Sequence, residues 1–259
     1  MFTYESASAL LLMVAVLSAR IGTALIMFPM FAGDTLPASV RASVIAGLSL
    51  CLLPMVGLPH MVELARTDAL TLGLLLVKEV ALGFGLGFVG SAGFWALHAA
   101  GSVIENQAGL TLATTIDPLA GQEDSLIGGF LVQVLTVVFV ASGGLLILLG
   151  VLYESFRVWP VLEVAPRIEP SLWLSAGQQV IVAVMELALR VAAPFVLLML
   201  MVEMGLGLLG RYAPQFSVFF LALPLKAAVL LLLLMFYSLV LVDGAVLPDV
   251  AQAMRRLMQ

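Results

Sequence analysis

KEVALGFGLGFVGSAGFWALHAAG, residues 78–101, is the stretch whose reading decides the fold. Two charges, Lys78 and Glu79, open it, and no Asp, Glu, Lys or Arg follows before Glu105. A helix needs about 20 mainly apolar residues to cross the hydrocarbon core of a bilayer, and this run has that length. It also carries Gly83, Gly85, Gly87, Gly90 and Gly93. Glycine costs about 1 kcal/mol against alanine in a helix interior, so this density predicts tight packing or bending. Gly83 and Gly87, four apart, leave one helical face bare and let a second helix backbone approach closely. That second helix can belong to this chain or to another subunit.

The rest of the chain agrees with a membrane reading. Of its 259 residues, 63% are hydrophobic and 10% charged, and the mean hydropathy is +1.18. Soluble domains have about 45–50% apolar and about 25% charged residues, so a soluble chain this poor in charge could not cover its own surface. Six stretches have spanning length, roughly 7–31, 39–58, 69–99, 126–152, 175–206 and 216–242. The expected fold is all-α: a polytopic helical membrane protein of six long apolar helices in hairpins, forming one domain over 1–259, with a short surface helix at 245–259. The opening MFTYESASALLLMVAVLSAR lacks a basic leader region and reads as the first span, not as a cleaved signal. With both termini cytoplasmic, Arg66, Arg157, Arg167, Arg255 and Arg256 lie inside and Arg41 and Arg211 outside, which favours that orientation.

Several function classes fall away. The net charge of −5 gives no basic patch for nucleic acid. One cysteine, Cys51, excludes an intrachain disulfide, and His60 and His98 show no metal-ligand spacing. The chain has no phosphate loop, no H-E-x-x-H and no G-x-S-x-G. GFGLGFVG lies inside an apolar span with no strand before it and carries no weight as a nucleotide site. No catalytic residue, cofactor or metal is expected, and the chain does not read as an enzyme.

Charges inside the spans are Arg20, Lys78, Glu79, Glu186, Arg190, Glu203 and Lys226. Each costs about 2.5–3.5 kcal/mol at mid-helix on insertion scales, so such groups face protein or a wet cavity. Glu186 and Arg190 share one face and can pair. Lys78 and Glu79, near the start of their span, are expected to point apart and to snorkel. Pro29, Pro54, Pro194 and Pro224 fall within or at the ends of spans, where surrounding protein must tolerate a broken backbone ladder. Between the third and fourth spans lies ENQAGLTLATTIDPLAGQEDS, residues 105–125, acidic and free of Lys and Arg. Its middle, Gln107–Gly121, is rich in small residues and so would cost little to reorder. Asp117-Pro118 favours a turn, and Glu123 and Asp124 read as solvated. An ordinary connection between spans remains the other reading. Broken helices with buried charges also suit a secondary transporter for a small solute, although no inverted repeat is evident.

Three stretches resemble one known family. FWALHAAGSVIENQAGLTLATTIDP (94–118), SGGLL (142–146) and GLLGRYAPQFSVFFLALPLK (207–226) are similar to the T subunit of the type III secretion export apparatus, whose flagellar counterpart is the R subunit of the flagellar export gate. Arg20, FPMF (28–31) and LPASVR (36–41) fit the same pattern, and the likeness covers nearly the whole chain. The run 94–109 and the LPLK ending look nearer the secretion branch than the flagellar one. Ser142 and Ser217 depart from the family, where Asn is common. The resemblance implies a multi-pass protein of the bacterial inner membrane, in contact with membrane lipid. Its partners would be R-type and S-type subunits in a pore-forming gate, a U-type switch protein alongside and translocating unfolded substrates, with no nucleic acid. It also implies that apolar helices in the assembled gate need not cross the bilayer. The matching loop in the family plugs the pore, which assigns that role to Gln107, Gly109, Leu110, Thr111, Leu112, Thr114, Thr115, Ile116, Asp117 and Pro118. Assembly or structural roles are expected for Arg20, Pro29, Gly83, Gly87, Glu203, Arg211, Pro214, Gln215, Pro224 and Lys226.

Overall fold

A computed structural model describes residues 4–32, 36–56, 64, 67–110, 125–164, 170–212 and 218–242. Among them the regular structure is helical throughout: α1 (Tyr4–Ile26), α2 (Ala38–Val56), α3 (Ala69–Ala108), α4 (Leu126–Ala141), α5 (Gly144–Val158), α6 (Pro170–Tyr212) and α7 (Val218–Val242), with a 3-10 turn at Pro29–Phe31 after α1. Five helices are long and apolar enough to cross a membrane, and α4 with α5 make a sixth span if counted together. The expected surface helix 245–259 lies outside the described residues.

The chain divides into two compact units, each built from two separated segments. The first takes Met1–Ser91 and Gly143–Gln178, the second Ala92–Ser142 and Gln179–Gln259. In the first, α1 buries one continuous stripe, Met13, Val16, Leu17, Arg20, Ile21, Ala24 and Leu25, at the spacing of a helix face. Pro29 stops the helix by restricting Phe28 to extended backbone, φ −85° and ψ 131°. α1 and α2 pack together. Between them Ser18 and Ser49 hydroxyls lie 3.0 Å apart. Ser49 already donates to the Ile45 carbonyl, so Ser18 is the donor of that pair. In the second unit α4 packs on α7, and Phe94 meets Phe139 edge-on at 5.6 Å, as Phe195 meets Tyr237.

Two expectations change. The fourth span, 126–152, is not one helix: α4 and α5 meet at 75°. The break falls at Ser142-Gly143. Gly143 has φ +80°, a left-handed conformation that side chains resist, and Ser142 closes α4 by donating its N–H to Val138. The third helix runs on past 99 to Ala108, so ENQA is helical. Its last turns keep a buried face at Leu97, Ala100, Ile104, Glu105 and Ala108, which the hydropathy alone conceals. The helix ends at Gly109, φ +78°. The Gly109 N–H donates to Asn106 and the Leu110 N–H to Glu105, the paired bonds of a Schellman cap.

Candidate functional site

The expected plug residues divide at Leu110. Thr111, Leu112, Thr114, Thr115, Ile116, Asp117 and Pro118 lie outside the described residues, as do Pro214 and Gln215. Gln107, Gly109 and Leu110 form the C-terminal end of α3. That end is held by residues that are remote in sequence. Lys226, from the middle of α7, donates to the Gln107 carbonyl at 3.1 Å and pairs with Glu203 of α6. The Gln107 side chain donates to the other Glu203 oxygen at 3.4 Å. A cation that is 10% exposed thus sits between a carboxylate and a helix-terminal carbonyl, the end of α3 that carries partial negative charge. Gln107, expected in the plug, and Glu203 and Lys226, both expected in assembly, make one cluster.

The other flank is held too. Ser125 caps α4, its Oγ accepting the Gly128 N–H at 3.0 Å, and its hydroxyl donates to the buried carboxylate of Glu105. Beside this contact Gly101 of α3 lies against the Gly128 backbone, so closely that a side chain at 101 would collide with it. Residues 105–110 and 125–128, which bracket 111–124, are therefore joined directly. Neither Glu105 nor Ser125 was singled out as a site from the sequence. A serine directly before an apolar run is the N-cap signal that marks such a position.

A second polar cluster lies in the first unit around Arg20. Arg20 and Glu79 are both fully buried, 0% exposed. Arg20 grips the carboxylate with two bonds, Nε to Oε2 at 2.6 Å and Nη2 to Oε1 at 2.9 Å. It also donates to the Ser155 hydroxyl at 3.1 Å and the Trp159 carbonyl at 3.0 Å, and its guanidinium lies 4.0 Å from the Phe156 ring centroid. Lys78 does not point away from this group. Its ammonium meets Glu79 at 2.9 Å and the carbonyls of Pro160, Val161 and Glu163 at 3.0, 2.8 and 3.0 Å. Two cations share one buried carboxylate, and the carbonyls beyond the C-terminus of α5, where the helix dipole is negative, add acceptors for Lys78. The expectation that Lys78 and Glu79 diverge is thereby corrected: successive residues on α3 converge because the segment after α5 wraps toward Lys78.

The remaining predicted residues are placed as follows. Gly83 lies against Arg20 and Thr23 of α1, and Gly87 against Ala24, whose carbonyl oxygen would be 2.6 Å from an added Cβ. The Gly83/Gly87 pair therefore packs within this chain. Pro29 opens the 3-10 turn. Pro224 lies within α7 and is exposed. Arg211 is exposed in the last turn of α6, where a cation complements the helix end. Among the described residues no group of His, Cys, Asp or Glu is arranged to hold a metal ion.

The family model described as "Bacterial export proteins, family 1" matches residues 11–246. The chain is 34% identical over 206 residues to "Yop proteins translocation protein T" of Yersinia pestis, covering 80% of this chain and 77% of that one. It is 38% identical over 172 residues to "Surface presentation of antigens protein SpaR" of Salmonella typhimurium, covering 66% and 63%. It is 28% identical over 215 residues to "Flagellar biosynthetic protein FliR" of Bacillus subtilis, covering 83% and 82%.

Proposed function

The chain belongs to the bacterial export proteins, family 1, and from that membership we propose that it is a core subunit of the inner-membrane export gate of a type III secretion system. It forms, with R-type and S-type subunits, the pore through which unfolded proteins leave, and a U-type protein packs beside it. The observation that carries this is the family match, which runs from the first helix through the last described one. The secretion branch is favoured over the flagellar one because identity reaches 34% and 38% to relatives of the secretion branch, against 28% and 31% to flagellar ones. Within the gate this chain acts as one domain over 1–259 and has no catalytic role.

Within it, Gln107–Gly121 blocks the closed channel. A blocking segment has to move without unfolding its supports. The joined flanks favour this: Glu105 and Ser125 hold α3 to α4 directly, and Lys226 and Glu203 hold Gln107, so these helix contacts are made outside 111–124. Shortening this segment is expected to raise ion leakage through the assembled gate while export continues. Conductance equal to that of the unaltered gate would refute the plug. Photocrosslinks from these positions to a polypeptide arrested in transit would support the pore; their absence, with crosslinks to other subunits only, would leave a scaffold in its place.

A further inference from the structure

Lys226 is the one charge of α7, and Glu203 is the one charge of α6 between Arg190 and Arg211. They pair with each other, which already answers both charges. The pair nevertheless also holds the end of α3, within the same compact unit. Lys226 Nζ donates to the Gln107 carbonyl at 3.1 Å, and Gln107 Nε2 donates to the second Glu203 oxygen at 3.4 Å. The helix end explains the use of a cation. The cap at Gly109 and Leu110 engages the carbonyls of Asn106 and Glu105. The next carbonyl, that of Gln107, goes to Lys226, at a terminus that carries partial negative charge.

Two holds on α3 thus lie close together in sequence, and they differ in kind. At Glu105 the hold is closed. The carboxylate is buried and bonded to Ser125, Ser125 caps α4, and Gly101 lies on the Gly128 backbone. Parting there would strand a buried charge and break a cap. At Gln107 the hold is releasable. If the Gln107 carbonyl leaves, Lys226 keeps its ion pair with Glu203, whose side chain is 45% exposed, and no charge is stranded. The loss is one bond from a charged donor and one long amide bond. A bond to a charged group shifts a two-state equilibrium by about ten- to a hundredfold. A contact of that size biases a position without fixing it.

We propose that Lys226 is a positioning residue for the channel-blocking segment. Its ammonium holds Gln107, where that segment begins, in the closed arrangement, and Glu203 orients the ammonium. Loss of the Lys226–Gln107 bond releases the start of the segment while Glu105 and Ser125 stay joined. The proposal rests on the reading of Gln107–Gly121 as the block and adds to it the contact that keeps the block in place.

The test separates this role from a merely structural one. Lys226→Glu with Glu203→Lys keeps an ion pair between α6 and α7, but a carboxylate at 226 cannot donate to the Gln107 carbonyl. In assembled gates, the swap and Lys226→Met are each expected to raise resting ion conductance by at least about tenfold, and Lys226→Arg, which keeps a donor, to stay within about twofold of the parent. A second readout needs no assembled gate. In a Cys51→Ser background, Leu110→Cys in the purified chain is expected to react with a water-soluble maleimide at least about tenfold faster in the swap than in the parent. If neither Lys226 variant accumulates, Gln107→Leu, which leaves the ion pair untouched, decides by the same labelling and is expected to be at least about twofold faster. Equal labelling rates would overturn the proposal. Parental conductance in a recovered swap, where shortening the segment raises conductance, would overturn it and leave the block standing. If shortening the segment changes nothing, the blocking role fails and this inference fails with it.

Discussion

Replacing Glu79 with alanine is the perturbation whose size the structure constrains best. The carboxylate accepts two bonds from Arg20 and one ion pair from Lys78, at 2.6, 2.9 and 2.9 Å. Arg20 and Glu79 are 0% exposed and the Lys78 side chain 8%, so water cannot replace what is lost. Arg20 keeps its bonds to Ser155 and Trp159, and Lys78 keeps three carbonyls. Two cations then share one site without the carboxylate that bridges them. Removing one partner of a buried pair costs about 3–5 kcal/mol, and the second cation argues for the upper half of that range. For a chain of this size each kcal/mol moves the midpoint by about 2–4 °C, which predicts a fall of about 8–20 °C in thermal unfolding of the purified protein in detergent. Glu79→Gln is expected to fall between, since it retains an acceptor without the charge. Arg20→Leu with Glu79→Leu is expected to recover much of the loss, because an apolar pair of similar volume removes both desolvation costs. A midpoint for Glu79→Ala within about 2 °C of the parent, or a double variant as unstable as the two single effects added together, would refute the reasoning.

Two further outcomes follow from the same contacts. Gly83→Val is expected to destabilise by at least about 1–3 kcal/mol, because its Cβ would overlap the Arg20 carbonyl and the Thr23 hydroxyl; Gly73→Ala on the same helix, with nothing among the described residues within 4 Å of its Cβ, is expected to be neutral or to stabilise by up to about 1 kcal/mol, and unfolding midpoints of the two compared side by side check this. Ser125→Ala is expected to cost about 1 kcal/mol for the lost cap and a further 1–3 kcal/mol, roughly, for the stranded Glu105 carboxylate, while Ser125→Thr, which keeps the hydroxyl, is expected to lie near the parent in denaturant titration.

What the sequence yields and what it withholds follow from range. Gly83 and Gly87 announce a close helix contact through their spacing alone, and the structure supplies only the partner, α1. The Glu186–Arg190 pair is equally local and equally legible. The bend at Ser142-Gly143 is half legible. SGG marks a break, but apolar residues on both sides let hydropathy join them into one span, and only the positive φ of Gly143 turns the chain. The extension of α3 to Ala108 is hidden for the opposite reason. Asn106 and Gln107 lower the hydropathy, while Ile104 and Ala108 keep the buried periodicity. The clusters at Arg20 and Lys226 are not legible as clusters. Arg20 meets Glu79 across 59 residues and Lys226 meets the Gln107 carbonyl across 119. No local pattern encodes which buried charges will find each other. The sequence requires only that each find something.

The lengths of α3 and α6 bear on where such a protein can reside. α3 has 40 residues and α6 has 43. Large apolar side chains are exposed on α3 from Leu70 to Val103 and on α6 from Leu174 to Leu209, about 50 Å along each axis at 1.5 Å per residue. The hydrocarbon core is about 30 Å thick. Tilting each helix by about 40°, the upper end of the observed range, still leaves about 38 Å of apolar surface to cover. A single copy standing in a bilayer would therefore hold Leu70 and Leu74, or Val103, in water, and the same holds for the two ends of α6. Local bilayer thickening does not reach that far at modest cost. The surplus is covered if other protein extends alongside the helices beyond the bilayer. Helix length and side-chain exposure thus call for neighbouring protein along the apolar surface of α3 and α6.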